Sequence, residues 1–533
     1  MKKLVSLLLL TTLISLALFS CIGTEIDLSL RSITVMGTNL DGFDPNVLEY
    51  EMDYDPEEKT LSPDRVSYAK ASPDAKVTVK LDGEVFTITV SDPAGEKTKE
   101  YKIKMNSPKT LETSAEIVNK DGVKGVLTLI SDDGNQRTSD FFYTEIAPNY
   151  DAFKITIALP TKNVAEISKT QDGKAWLVDD NGKYVLKVLG NTYSSSISGS
   201  VFSGNSYKTM VDFWTEIAST GQIELASHSH THGPWPATDE IVYNGGSIEY
   251  PAGSAIKELH ASAQILRDLL CQDSDFILRP GGTFMTTEVN SYFKSLFETD
   301  TTFLGMRGSN GAPPFMGATS ANAAKLNTVE KFKSESARLS IATLLVRGYE
   351  AAFNDSGDAF ATTSASTREE ILAAGISAWE QYVDYAMQYG SWASIGFHSV
   401  VSDSSTASGY QVYDSQVKAL MDYVQPLVDS GDLWLASFSD AAKYYFEWSS
   451  ATVNATTYGT KRVDVTLTDN EEDPRFDEPL TVKVTVPESW TKAELSSYGE
   501  TTVLDVHTAD DGSCFVYANI LPGSEVSTLI PAE

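Results

Sequence analysis

The chain has 533 residues, with 41% hydrophobic and 10% aromatic content, enough apolar material for several packed cores rather than one. It carries 41 basic against 73 acidic residues, a formal net charge of -32. That balance excludes nucleic-acid binding, which needs a basic footprint to displace counterions from phosphates.

The N-terminus is read as an address rather than as fold. Lys2 and Lys3 precede an apolar run from Leu4 to Phe19, and Leu18-Phe19-Ser20-Cys21 follows. The run is short for a membrane span and ends at a well-placed cysteine. Leu18-Phe19-Ser20-Cys21 resembles the lipobox of bacterial lipoproteins. The resemblance implies a signal peptide over 1–20, a lipidated Cys21 that anchors the chain to a membrane, and a place in the cell envelope. Cys271 and Cys514 lie far apart with neither disulfide nor metal spacing, and are expected to be free, buried thiols.

Residues 21–110 read as short strands. Ile33–Val35, Val77–Leu81, Phe86–Val90 and Tyr101–Lys104 alternate apolar with polar residues, and Asp82-Gly83 is a hairpin signal. The pattern predicts a small all-β sandwich. Leu30 to Val35, Phe43 to Tyr50 and Lys99 to Ile103 resemble the cadherin-like β-sandwich modules of bacterial surface proteins.

From 113 to 448 the texture changes. Apolar strands at Gly125–Ile130, Phe153–Leu159, Ser391–His398 and Leu433–Phe438 alternate with amphipathic helices. One helix keeps Ile256, Leu259, Ala263, Leu266 and Leu270 on one face. Another starts at a capping box, Thr367 to Glu370, and runs to about Tyr389. Such alternation predicts a parallel sheet, open or closed into a barrel. Two insertions, 161–208 and 308–336, are candidate site-lining loops. Over 452–533, Val463–Leu467 and Leu480–Val486 restore period two and predict a second β-sandwich.

The polar residues of the central domain collect after its strands. Gly125–Ile130 runs into Ser131-Asp132-Asp133-Gly134, Ile223–Ala226 into His228-Ser229-His230-Thr231-His232, and Phe276–Leu278 into Arg279-Pro280-Gly281-Gly282. Trp392–Phe397 ends at His398. In parallel α/β folds the carboxyl ends of the strands share one mouth, where active sites lie. Half of the chain's 6 histidines fall within positions 228–232. Neutral imidazole is the commonest zinc ligand, so this cluster points to a metal. On a helical turn His228 and His232 would share a face; on an extended strand all three would, His230 included.

Taken together, these motifs resemble the NodB-homology polysaccharide deacetylases of carbohydrate esterase family four, over roughly 113–448. The Thr-Phe-Asp-Asp-Gly motif of that family corresponds to Ile130 through Gly134. Its His-x-x-x-His motif corresponds to His228 through His232, its Arg-Pro turn to Arg279-Pro280, and its hydrophobic-His motif to Ile395 through His398. The family's Asp…Asp-Trp motif has no counterpart; Phe303 to Arg307 stands in that place and offers Arg307. The resemblance implies a distorted (β/α) barrel, so that the whole chain is a central α/β domain flanked by N-terminal and C-terminal all-β sandwiches.

It also implies a metal triad of Asp133, His228 and His232 around a divalent ion, zinc first, with cobalt or nickel as alternatives. His230 would point elsewhere. Asp132 would be the general base, His398 the general acid, and Arg279 the group that holds the Asp132 carboxylate. The implied reaction is hydrolytic removal of acetyl groups from an N-acetylated polysaccharide. Two alternatives are an O-acetyl esterase of the xylan type and an inactive surface glycan-binding lipoprotein.

Overall fold

A computed structural model describes residues 26–54, 61–106, 110–173, 175–190, 208–232, 255–280, 302–307, 326–333, 341–346, 368–405, 407, 410–471, 473–523 and 525–532. The leader with Cys21, the Thr367 capping position, Gly281-Gly282 and most of the second insertion lie outside these residues. Among the described residues, no helix is long and apolar enough to cross a membrane. The chain divides into two compact units, Met1–Glu112 with Thr456–Arg462, and Thr113–Ala455 with Val463–Glu533.

The first unit is sheet-built. Leu30–Val35 pairs antiparallel with Thr38–Asn39 and Val66–Lys70. A second sheet orders Glu49–Asp53, Thr98–Asn106, Val85–Ser91 and Lys76–Asp82. The Asp82-Gly83 turn joins the last two, with Gly83 at φ +58. The alternating strands place Ile33, Val35, Phe86, Ile88, Val90, Tyr101 and Ile103 in one core.

The second unit is organised on a parallel sheet. Its strands are β1 (Gly125–Ser131), β2 (Ile155–Leu159), β3 (Ile223–Ser227), β4 (Phe276–Leu278), β5 (Gly305–Arg307), β6 (Leu344–Leu345), β7 (Trp392–Phe397) and β8 (Leu433–Ala436). The spatial order is β5-β4-β3-β2-β1-β7-β6. β1 is the axis. It pairs with β7 from Val126↔Trp392 to Ser131↔Phe397. Its other edge is shared, with β8 taking Gly125 to Thr128 and β2 taking Ile130 and Ser131. All residues of β1, β2 and β7 are buried, which is why these strands read as continuous apolar runs.

The ladders form an open sheet. Beyond them, Ile341, just before β6, makes one parallel bridge to Arg307 of β5, its N–H donating to Met306 O at 3.3 Å. The closed barrel expected from the sequence is therefore not drawn by the ladders among the described residues.

Among the described residues, the α-helices longer than four residues are α1 (Gln136–Phe141), α2 (Met210–Ala218), α3 (Ala255–Leu270), α4 (Arg368–Gln388), α5 (Asp414–Asp429) and α6 (Phe438–Ser450). α2 opens on a capping box from Thr209 and Asp212 and buries Phe213, Trp214 and Ile217. The C-terminal strands belong to this same unit. Leu480–Val486 pairs with Ala115–Val118, and α6 contributes Phe438, Tyr445 and Phe446 to a core that also holds Trp392, Val465, Phe476, Val484 and Val516. Tyr444 anchors α6 by donating to Val118 O at 2.6 Å and accepting from Thr481 N–H at 3.0 Å.

Cys271 and Cys514 are free, as expected, but neither is fully buried. Cys271 is free and exposed, and Cys514 is free and half-buried. Cys271 follows the last residue of α3 at φ +53, a left-handed helix exit that turns its side chain out of the core.

Candidate metal centre

The strand ends of β1, β3, β4, β5 and β7 bring their polar residues together. β1 finishes at Ser131, and two successive left-handed residues follow, Asp133 at φ 72 and Gly134 at φ 54. Gly134 is in a left-handed conformation and a Cβ on it would meet Leu159 Cδ1 at 2.5 Å, so this turn favours glycine. Asn135 then caps α1, accepting from Thr138 N–H at 3.0 Å. The turn places adjacent carboxylates in different surroundings.

Asp132 is buried. Its N–H bonds Phe397 O at 2.8 Å, tying it to the end of β7. Arg307 grips its carboxylate with both arms, Nη1 to Oδ1 at 2.7 Å and Nη2 to Oδ2 at 2.8 Å. Burial pushes the Asp132 carboxyl up, but the Arg307 guanidinium, with His228 and His398 nearby, outweighs it and holds the group below the usual carboxylate range. This corrects the expectation for Arg279. Arg279 is buried, and its backbone carbonyl accepts from Arg307 Nη2 at 3.0 Å, so it orients the arginine that clamps Asp132. The reason is position: Arg307 is the last residue of β5, within β4's ladder through Leu278↔Arg307.

Asp133 is the hub. Its Oδ1 lies 3.0 Å from His232 Nε2 and 3.5 Å from His228 Nε2, and its Oδ2 lies 3.5 Å from His398 Nδ1. Burial raises the Asp133 carboxyl, but the imidazoles of His228, His232 and His398 around it overcome that and hold the group well below its usual range. His228 is buried, and its Nδ1 is hydrogen-bonded to Leu278 O. A carbonyl only accepts, so the proton sits on Nδ1 and Nε2 keeps its lone pair.

The two imidazoles do not meet on a helix. Residues 228–232 form an irregular loop with Ser229 at φ 64 and His232 at φ 60. The double reversal brings the rings to 4.8 Å between centroids. Buried Glu258 of α3 secures the loop, accepting from Thr231 N–H at 2.7 Å and Thr231 Oγ1 at 2.9 Å. His230 turns away. It is buried against Trp176, edge to face at 5.3 Å, with Nδ1 3.1 Å from Thr161 Oγ1. Burial lowers it to about 4. Thr161 and Trp176 come from the first insertion, which thus buttresses the histidine loop. His398 is half-exposed, beside Tyr410, whose carbonyl accepts its N–H at 2.7 Å.

Asp133, His228 and His232 could hold a metal ion, each offering one ligand atom within 4.8 Å of the others. The donor set suits zinc chemistry. Zn–N and Zn–O bonds of about 2.0–2.1 Å in a tetrahedron separate the donors by about 3.3 Å. The observed 3.0 and 3.5 Å bracket that edge. A two-His, one-carboxylate set leaves further coordination positions open, as a catalytic ion requires.

No protein-family model matches the chain. A gellan lyase from a Bacillus species is 26% identical over 148 residues, 27% of this chain and 6% of the lyase. The chain thus spans a small fraction of that relative's length. Among solved structures, an endo-β1,6-glucanase aligns at 9% identity over 85% of this chain and 100% of its own, with a TM-score of 0.27. An endo-fucoidan hydrolase of glycoside hydrolase family 107 aligns at 9% identity over 76% and 65%, also with a TM-score of 0.27. At these scores neither establishes a shared fold.

Proposed function

We propose that the chain is a metal-dependent hydrolase that removes acetyl groups from an N-acetylated polysaccharide. The observation that carries this reading is the Asp133 carboxylate between His228 and His232, with the Arg307-clamped Asp132 and half-exposed His398 beside it. A divalent ion on Asp133, His228 and His232, zinc in the first place, would polarise the acetyl carbonyl and acidify the attacking water. Asp132 accepts the proton of that water. Arg307 keeps it ionised throughout the neutral range and fixes its orientation. His398 delivers a proton to the leaving amine. The parallel bridge between Ile341 and Arg307 supports closure of the sheet into a distorted barrel around this mouth.

The gellan lyase relative supports a polysaccharide as the ligand class. In this reading Cys21 is lipidated and holds the chain at a membrane in the cell envelope. Amide and ester substrates pass through the same tetrahedral centre, so an O-acetylated glycan is assayed alongside. The test is acetate release from acetylated polysaccharides by chelator-treated protein, with and without added zinc. Release only with metal supports the proposal; no release from any of them overturns it.

A further inference from the structure

The first insertion does more than buttress His230; it walls a cavity. Ala165–Ile167 pairs antiparallel with Leu186–Val188, and single bridges at Lys169↔Trp176 and Val178↔Tyr184 continue the hairpin between them. The hairpin lies on α3. Gln264 pairs with the backbone of Tyr184 as a neighbouring strand would, accepting its N–H at 2.8 Å and donating to its carbonyl at 3.0 Å. Ile167 and Trp176 pack with Ala261 in a small core of their own. Between hairpin and helix is a cavity of about 440 Å³, within the range of ligand sites (roughly 300–1,000 Å³).

Helical periodicity sets its floor. Lys257, His260, Gln264, Arg267 and Asp268 recur at steps of three and four, so one face of α3 lines the cavity over roughly 16 Å. Glu258, beside Lys257, is the residue that secures the histidine loop. The cavity therefore starts at the helical turn that supports the metal centre. Trp176 forms the opposite wall. Its buried ring meets Tyr184 at 5.7 Å and His230 at 5.3 Å, edge to face in both cases, so this wall is fixed before any ligand arrives.

The lining runs against the charge of the chain. The protein carries a net charge of -32, yet among the described residues three cations, Lys183, Lys257 and Arg267, line the cavity with one carboxylate, Asp268. Lys183 meets Asp268 at 2.7 Å, an exposed pair that a ligand can rearrange at little cost. Arg267 is anchored by donating from Nη2 to Thr302 O at 3.0 Å, with 41% of its side chain exposed. Asp275, 3.7 Å from Arg267, is also held by Lys443 at 3.1 Å and Arg475 at 3.2 Å. We propose that this cavity binds carboxylate-bearing sugars of an acidic polysaccharide. A pyranose ring offers an apolar C–H face to Trp176 and exposed Val178, and a uronate adds the carboxylate that Arg267 and Lys257 would take by charge-assisted hydrogen bonds. The proposal deepens the polysaccharide reading above and rests on it for the choice of a sugar as ligand.

The full chain, freed of metal with EDTA, is titrated by calorimetry with tetramers of galacturonate, glucuronate and mannuronate, and with uncharged xylotetraose. Expected are one site for at least one uronate tetramer, binding of xylotetraose weaker by about tenfold or more, and an affinity for the uronate that falls as salt rises. Lys257→Glu and Arg267→Ala should each weaken uronate binding by about tenfold or more, with Tm near the wild-type value. If Arg267→Ala does not fold, Lys257→Glu decides the matter by the same readings. No heat with any uronate tetramer, equal affinity for xylotetraose, or wild-type affinity in Lys257→Glu would overturn the proposal. The metal-free titration keeps the two readings apart. Uronate binding without acetate release from any glycan would sink the deacetylase alone, and acetate release without uronate binding would sink the cavity alone.

Discussion

Asp132 and Asp133 are neighbours with opposite surroundings, and their difference explains the site. Asp132 meets a guanidinium fork, Asp133 meets imidazole nitrogens. The fork is the residue-scale feature with the sharpest consequence. Removing one partner of a buried ion pair leaves an uncompensated charge, so Arg307→Ala is expected to destabilise the fold by about 3–5 kcal/mol. Urea denaturation measures it. Arg307→Lys should restore stability in part and activity little, because an ammonium cannot make both hydrogen bonds. Asp132→Asn should lower kcat by roughly 10²–10⁴ while metal content stays at the wild-type level. Mass-spectrometric metal analysis beside acetate-release kinetics separates those two readings. Loss of metal in Asp132→Asn would place Asp132 among the ligands instead.

At the scale of elements, the loops after β1 and β3 do the positioning through left-handed residues. Gly134→Ala would drive a Cβ into Leu159 and force an L side chain to positive φ. A cost of about 1–3 kcal/mol is expected, with weaker zinc binding, because Asp133 shares the turn. Glu258 belongs to no ligand set, yet it holds Thr231 between His230 and His232. Glu258→Gln should keep the fold and weaken zinc binding by about 10–100-fold, the usual effect of loosening a supporting hydrogen bond. Zinc titration against a competing chelator reads both variants.

The buried strands were legible because Gly125–Ser131 and Trp392–Phe397 are apolar on both faces. The candidate metal triad was legible because histidines are scarce here and each candidate follows a strand. The path by which His228 meets His232 was not. Spacing of four suggested a helical turn, and nothing local announces that Ser229 and His232 adopt positive φ. The Asp132 clamp was assigned to Arg279 because Arg-Pro is a visible motif. In the sequence Arg307 is visible only as the residue in the place of the missing motif; its grip on Asp132 exists only once β4 and β5 pair.

At the scale of the molecule, the parallel sheet, α6 and the C-terminal strands share one core, so ligand effects at the metal centre should appear in global stability. An ion that binds only the folded state raises Tm in proportion to the logarithm of its excess over Kd. Chelation is therefore expected to lower the Tm of the second unit, and zinc to restore it, with no recovery in His232→Ala. A Tm indifferent to both would mean that the triad holds no ion.

The central claim is that a metal on Asp133, His228 and His232 serves hydrolysis by Asp132. The most direct measurement is acetate release from acetylated polysaccharide by the zinc-loaded chain and by its Asp132→Asn variant, at equal metal content. The account predicts release by the wild type and its near-complete loss in the variant. Equal release by both, or none by the zinc-loaded wild type, would contradict it.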